Sequence, residues 1–191
     1  MKQLKLMVMA IAALVTVNTV SAQKMGSDSK EKTVNVGGAP MYPSKNIVEN
    51  AVNSKDHTTL VAAVKAAGLV ETLQSAGPFT VFAPVNMAFD KLPKGTVETL
   101  LKPENKNLLT KILTYHVVAG RWDAKSIAAE IKKGGGKYTF KTVAGGMLTA
   151  TMKGAKIIIT DEKGGVATII IKDVFQSNGV IHVTDAVSMP K

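Results

Sequence analysis

The sequence predicts an α+β domain in which a helical first half is followed by a run of antiparallel strands. Three observations carry this prediction. Apolar residues recur at helical spacing between positions 47 and 131, they alternate with polar residues from position 137 onward, and glycine-containing turns separate the alternating runs. Helices first and consecutive strands afterwards are typical of the α+β class.

The N-terminus has the pattern of a secretory signal peptide. Lys2 and Lys5 precede an apolar run over 6–17, and small residues at 20–22 offer a cleavage site. The alternative, a retained membrane anchor, is less favoured because the apolar run is shorter than the roughly 20 residues that cross a bilayer. We therefore predict a signal peptide over 1–22, no transmembrane span in the mature protein, and export to the periplasm, the cell surface or the medium.

The net charge of the chain after the predicted signal peptide indicates which partners the protein meets. The 191 residues have a formal net charge of +10, and removal of residues 1–22 takes away two lysines and leaves +8. An exported basic protein is expected to meet polyanions such as acidic glycans and anionic lipids. Sequence-specific nucleic-acid binding is not predicted, because aromatic residues are few and no recognised motif is present. The absence of cysteine excludes disulfides.

The mature chain is predicted to contain a leader and one domain. Residues 23–40 are rich in Lys, Ser and Gly and contain few large apolar side chains, so we expect a flexible leader. A single domain is predicted over 41–189. A domain of this size buries roughly 70% of its unfolded surface, which is enough for a core without disulfides.

The helical half is divided by residues that start and stop helices. The predicted N-caps share a side-chain oxygen that can accept from free backbone amides, and they are Asn46 (with Glu49 three residues on), Asp56, Asn86 and Asp123. Pro103 is expected to open a further helix, and Gly68 to end the second one. Short strands are predicted over 79–83, where Pro84 interrupts the ladder, and over 115–118.

The second half is predicted to be all strand. Alternation indicates strands over 137–142 and 148–153, joined at Gly145 and Gly146, with further strands over 156–160, 166–172 and 180–187. The alternation places Lys137, Thr139 and Lys141 on one face, and hairpin pairing would add Thr149, Thr151 and Lys153 to it.

A lysine-rich interval is the main chemical asymmetry of the chain. No acidic residue lies between Glu130 and Asp161, whereas six lysines do: Lys132, Lys133, Lys137, Lys141, Lys153 and Lys156. One interpretation is a solvated sheet face whose charges discourage edge-to-edge aggregation. The other is a polyanion-binding patch for acidic glycans or anionic membranes.

Three segments resemble the fasciclin-like domain family. They are GPFTVFAPVNMAFDKLP over 77–93, Tyr115 with His116, and SNGVIHVTDAV over 177–187. The resemblance spans about 41–189. It implies antiparallel sheets forming a wedge or sandwich, with a helical layer from the N-terminal half. It also implies a non-enzymatic extracellular module for adhesion or surface interaction.

The resemblance also identifies motif residues, which we expect to hold the fold rather than to contact a ligand. They are Asn86, Tyr115, His116, Asn178 and His182. Two positions depart from the family pattern: Val85 stands where Thr is usual, and Val174 follows Asp173 where many relatives carry Ile.

Catalytic and metal chemistry is not predicted. The chain has three histidines and no cysteine, and His57 is expected to be exposed near a helix start. The run Gly134, Gly135, Gly136 and Lys137 is not a phosphate loop, because Ile131 and Tyr138 occupy positions that require Gly and Ser or Thr. No nucleophile-elbow pattern occurs. No cofactor is predicted for the surface-interaction function.

An apolar carrier is the alternative function. Methionine side chains adapt to irregular apolar ligands, and Met41, Met87 and Met147 are candidate contacts at element ends. Because some fasciclin-like proteins hold carotenoids, the resemblance makes a carotenoid the expected ligand under this alternative.

Overall fold

The computed structural model describes residues 31–191, so the predicted signal peptide and the first part of the leader lie outside the described residues. The helices are α1 (Ile47–Ala51), α2 (Thr58–Ala67), α3 (Val70–Gln74), α4 (Asn86–Asp90), α5 (Thr96–Leu100), α6 (Lys106–Tyr115) and α7 (Ala124–Lys133). The strands are β1 (Val34–Val36), β2 (Ala39–Met41), β3 (Phe79–Pro84), β4 (Val117–Ala119), β5 (Lys137–Lys141), β6 (Met147–Lys153), β7 (Lys156–Thr160), β8 (Val166–Gln176) and β9 (Gly179–Thr184). The α+β prediction is confirmed.

Seven strands form one mixed sheet in the order β4-β3-β9-β8-β7-β6-β5. The strands from β5 to β9 pair antiparallel with their neighbours in sequence, as predicted. The sheet is mixed because one further pair, β3 with β9, is parallel. An isolated bridge between Val118 and Thr142 links the two ends of the sheet, which is therefore nearly closed.

The parallel pair β3 and β9 lies between two apolar cores. Val81 and Ile181 face a core made with α1, α2 and α6, whereas Phe82 faces a second core made with α7 and β5–β8. Strands covered on both faces are near-continuous apolar runs. This explains why Phe79–Pro84 and Gly179–Thr184 contain so few polar residues.

The predicted flexible leader is wrong for its last residues. Val34–Val36 pairs with Ala39–Met41 in a two-stranded hairpin, and Val36 is buried in the core that includes α1 and α2. Gly37 has a positive φ of 59°, and a side chain there would collide with Ser54 Oγ. The ordered unit therefore begins before Met41, because a short hairpin packs against the turn that precedes α2.

The helix boundaries confirm three of the predicted signals. Asn46 and Glu49 form a reciprocal capping box on α1, and Asp123 accepts a hydrogen bond from the Ser126 amide at the start of α7. Gly68 ends α2 in the left-handed conformation.

Three other boundary predictions are wrong. Asp56 lies inside a 3₁₀ turn, and the residue that caps α4 is Val85 rather than Asn86. The strand predicted from Tyr115 begins at Val117, because Tyr115 is the last residue of α6 and His116 caps that helix. Within residues 31–191, no helix combines the length and hydropathy needed to cross a membrane.

Candidate functional site

The motif residue Asn178 joins three elements. Its Oδ1 accepts from the Ile47 amide at 3.0 Å, and its Nδ2 donates to the carbonyls of Leu73 and Ser75 at 2.8 and 2.9 Å. Only 6% of the residue is exposed. Both amide hydrogens and one acceptor site of Asn178 are thus directed at the backbone of α1 and of the C-terminal end of α3, which leaves little for a ligand.

The motif residue Asn86 has a similar position between elements. Its Oδ1 accepts from the Thr59 amide at 3.0 Å and from Thr58 Oγ1 at 3.2 Å, while its Nδ2 donates to the Lys55 carbonyl at 2.8 Å. The side chain therefore supplies the first turn of α2 with an acceptor from another part of the chain. This role replaces the local cap that the sequence predicted.

Tyr115 ties helix α6 to the strand hairpins. Its hydroxyl donates to the Met147 carbonyl at 2.6 Å and accepts from the Glu162 amide at 3.1 Å. Burial raises the pKa of this phenol, and the nearby charges of Glu162 and Asp161 act in the same direction. The group stays protonated and serves as both donor and acceptor.

His116 is held as one neutral tautomer. Its Nδ1 contacts the Ile112 carbonyl at 2.8 Å, and its Nε2 accepts from the Ser188 amide at 3.0 Å. Since a carbonyl can only accept and an amide can only donate, the proton lies on Nδ1. Burial lowers the pKa of His116 and outweighs the Ile112 hydrogen bond and the Asp161 charge, which raise it.

His182 is also neutral, with the opposite tautomer. Its Nε2 contacts the Trp122 carbonyl at 2.7 Å, and its Nδ1 accepts from the Asp173 amide at 3.3 Å. Burial lowers the pKa of His182 as well. Both ring nitrogens have backbone partners, so no nitrogen is free to bind a metal. Within residues 31–191, no three His, Cys, Asp or Glu side chains are grouped as metal ligands.

The lysine-bearing face has the register that the sequence predicted. In the β5–β6 hairpin, Lys137 lies opposite Thr151 and Thr139 opposite Thr149, with the two threonine hydroxyls 3.5 Å apart. Phe140, which alternates with these residues, points to the core on the other face. The outer face of the sheet is therefore a strip of Thr and Lys.

The strand register places the lysines of the acid-free interval at different ends of the sheet. Lys153 lies directly opposite Lys156 at the β6–β7 turn, and Lys137 is diagonal to Lys153 at the same end of the sheet. Lys141 lies at the other end, opposite Met147. We call Lys137, Lys153 and Lys156 the lysine end; all three side chains are exposed.

Lys132 and Lys133 lie in the last turn of α7, shortly before β5. Lys133 forms an ion pair with Glu130, which raises the pKa of the lysine. The charge of Lys133 is thus partly compensated.

An apolar cavity lies between the first three helices and the sheet. Its free volume is about 80 Å³, and its wall includes Met41, Ile47, Leu60, Val64, Leu73 and Ile181. Of the candidate methionines, Met41 is 1% exposed and lines this cavity. Met87 and Met147, at 73% and 45% exposed, lie outside it. The structure therefore does not bring the three methionines together.

His57 is a residue of the cavity wall whose exposure was predicted incorrectly from the sequence. It was expected to be exposed, but only 1% of its surface is accessible. Its Nδ1 contacts Ser54 Oγ at 2.9 Å, whereas its Nε2 has no hydrogen-bond partner. No local signal identifies this burial, because the residues that share the cavity wall with His57, such as Phe82 and Ala83, lie far from it along the chain.

Comparisons with known proteins agree with this architecture. A family model described as "Fasciclin domain" matches residues 55–190. Protein sll1483 of Synechocystis sp. is 48% identical over 172 residues, which cover 90% of this chain and 87% of that protein. The cell surface glycolipoprotein MPB83 of Mycobacterium bovis is 36% identical over 122 residues, covering 64% of this chain and 48% of that protein.

A solved structure has the same fold. It is the FAS1 domain pair from the insect cell adhesion molecule fasciclin I, with a TM-score of 0.68 and 14% sequence identity. The match covers 83% of this chain and 58% of that chain. At this identity the likeness concerns the fold alone.

Proposed function

The chain belongs to the fasciclin domain family, which is non-enzymatic, and from this premise we propose that it is an exported surface-interaction module that binds polyanions through the lysine end. The family is associated with adhesion and cell-surface proteins. Export is supported by the signal-peptide pattern of residues 1–22. The ligands that fit this chemistry are acidic glycans and anionic lipid surfaces.

The observation that carries the proposal is the cross-strand pair of Lys153 and Lys156. Like charges directly opposite each other destabilise a sheet, and Lys137 adds a third positive charge on the same face. No acidic residue occurs between positions 130 and 161 to neutralise them. A bound polyanion would relieve this repulsion, which gives the three lysines a binding role.

Charge reversal tests the proposal. Replacing Lys137, Lys153 and Lys156 with Glu should abolish binding to heparin and to phosphatidylglycerol vesicles at low salt. Each lysine near an anionic surface contributes about 1 kcal/mol, so the loss should reach roughly a hundredfold in affinity. Binding by the unmodified protein should weaken as salt is raised.

A matched control separates the lysine end from net charge. Replacing the exposed residues Lys32, Lys55 and Lys102 with Glu changes the charge by the same amount elsewhere. This variant should keep most of the binding. Equal losses in both variants would reject the lysine end as a site, and retained binding in both would reject these lysines as contacts.

A second candidate function, transport or storage of an apolar molecule such as a carotenoid, is favoured by the cavity. Its wall is apolar, and Met41 is part of it. Because a carotenoid is far larger than about 80 Å³, this function requires α1–α3 to move away from the sheet. Protein purified from carotenoid-producing cells should then absorb visible light. A colourless protein that takes up no carotenoid from membranes would contradict this candidate.

A further inference from the structure

We propose that a second concave site, between α5 and α6, binds a free aliphatic carboxylate of the fatty-acid class. We call this site the α5–α6 groove, and its wall includes Lys94, Leu108, Lys111, Lys163 and Met189. It shares no wall residue with the apolar cavity and contains none of the three lysines of the lysine end. The site is therefore distinct from those of the polyanion-binding and apolar-carrier functions.

The α5–α6 groove has the dimensions of a small-molecule site. Its free volume is about 480 Å³, whereas that of the apolar cavity is about 80 Å³. Sites that hold one small ligand have volumes of roughly 300–1,000 Å³. A short aliphatic chain can therefore enter this groove without a movement of the helices beside it.

One part of the groove wall is apolar and accessible. Leu108 and Ile112 are four residues apart in α6, so their side chains lie on the same face of that helix. Leu100 of α5 and Met189 add to this apolar part. Because Leu108 is 49% exposed, it offers apolar surface that an aliphatic ligand can remove from water.

The other part of the groove wall is cationic. It contains no acidic side chain and four lysines, which are Lys94, Lys111, Lys163 and Lys191. They come from separate parts of the chain: the loop before α5, helix α6, the turn between β7 and β8, and the segment after β9. Positive charge beside accessible apolar surface is the combination that an amphiphilic anion requires.

Two of these lysines already have partners. Lys111 Nζ donates to the main-chain oxygen of Lys191 at 2.8 Å. Hydrogen bonds from the Met147 and Lys191 amides lower the pKa of Glu162, and the charges of Lys191 and Lys111 act in the same direction. Glu162 therefore balances part of the charge of Lys111 and Lys191.

Lys94 and Lys163 are the lysines that a carboxylate can engage. Both are exposed, and neither forms an ion pair with an acidic side chain of residues 31–191. Thr96 and Thr99 of α5 also line the groove, and their hydroxyls are further hydrogen-bond donors. Hydrogen bonds from ammonium groups to a carboxylate are stronger than those between neutral groups, so a charged ligand is favoured over a neutral one.

Asp161 fixes two parts of the groove wall relative to each other. Its Oδ1 accepts from the Lys163 and Gly165 amides at 3.0 and 2.7 Å, and its Oδ2 accepts from the Met189 amide at 2.8 Å. Asp161 is buried and does not line the groove itself. The backbones of Lys163 and Met189 are thus held in place before a ligand binds, which lowers the cost of ordering the site.

The shape of the groove favours a free carboxylate over a bilayer surface. A concave wall can surround one aliphatic chain, whereas a bilayer presents many headgroups on a flat surface. The two lysines without acidic partners provide the counter-charge that a carboxylate needs when it leaves water. The ligand class is therefore a single-chain carboxylate.

Octanoate and 1-octanol test the proposal on the full chain, because they have aliphatic chains of the same length and differ in the charge of the headgroup. NMR titration of the methyl groups of Leu108, Ile112 and Met189 measures both affinities. We expect both probes to shift these methyl groups and octanoate to bind more tightly than 1-octanol.

Substitutions separate the cationic from the apolar part of the wall. Lys94→Gln combined with Lys163→Gln should weaken octanoate binding by about tenfold, the value of one hydrogen bond to a charged group, and should change 1-octanol binding by less than about twofold. Leu108→Ala should weaken the binding of both probes by a similar factor, about fivefold. The three substituted residues are exposed, and thermal unfolding checks that each variant is folded.

The variant with Glu at Lys137, Lys153 and Lys156 is the control for net charge. At physiological salt, which screens distant charges, it should bind octanoate as the unmodified protein does. An unchanged octanoate affinity in the folded Lys94→Gln, Lys163→Gln variant would overturn the proposal, and so would the absence of shifts at the groove methyl groups. Loss of phosphatidylglycerol-vesicle binding in that variant would also overturn it, by showing that the groove contacts bilayers. The first two outcomes leave the lysine end untouched, so the failures of the two proposals are distinguishable.

Discussion

At the scale of single residues, the capacity of an amide side chain to donate and accept at once decides what Asn178 does. It satisfies the Ile47 amide and two carbonyls that end the helical segment of α3. Backbone groups left unpaired in a buried site cost far more than the net value of a hydrogen bond. Asn178 therefore stabilises the junction where α1, α3 and the start of β9 meet.

Truncation of Asn178 should be costly. Asn178→Ala leaves one donor and two acceptors unpaired, and we expect the free energy of unfolding to fall by roughly 3 kcal/mol. Urea unfolding followed by circular dichroism measures this. Asn107→Ala, at an exposed position in α6, should change stability by no more than about 0.5 kcal/mol. A similar small effect at both positions would contradict the junction role of Asn178.

At the scale of elements, the distance along the chain between interacting residues determined what could be predicted. Asn46 with Glu49, Gly68 and Asp123 act within four residues of themselves, so their patterns identified the helix ends. Asn86 acts 27 and 31 residues away, on Thr59 and Lys55. Its residue type indicated a cap, but no local pattern shows that the capped helix is α2.

For the strands, too, the distance along the chain between paired residues determined what could be predicted. The β5–β6 hairpin was predictable because Gly145 and Gly146 join two alternating runs, and the register of Lys137 and Thr151 follows from it. The parallel pairing of β3 with β9 joins residues about 100 positions apart, such as Val81 and Ile181. The burial of His57 likewise depends on distant packing, and the cavity was therefore not predictable from the sequence.

At the scale of the whole molecule, three buried neutral histidines make the free energy of unfolding depend on pH. Burial lowers the pKa of His57, His116 and His182 below the ordinary value of 6.5 that the unfolded chain has. Below pH 6.5 the unfolded state thus binds more protons than the folded state. The free energy of unfolding is then constant above that pH and falls as the pH drops below it.

The histidine contribution can be separated from that of the carboxylates. Hydrogen bonds from Ser126 lower the pKa of Asp123 below 3.8, and those from Met147 and Lys191 lower that of Glu162 below 4.5. A carboxylate with a lowered pKa contributes stability above its unfolded pKa and loses it as the pH falls through the folded value. The two carboxylates therefore change the free energy of unfolding below about pH 4.5. The histidines change it between their folded-state pKa values and pH 6.5.

Urea unfolding at pH 7.5, 6.0 and 5.0 tests this account. Stability should be unchanged near pH 7.5 and should then fall with a slope of at most about 4 kcal/mol per pH unit, the limit for three histidines that each lose one proton on folding. His182→Gln removes one of the three titrating rings, so its slope should be about a third smaller at equal reference pH. An unchanged slope in this variant would show that His182 is already charged in the folded state, because only a ring that is neutral when folded contributes to the slope.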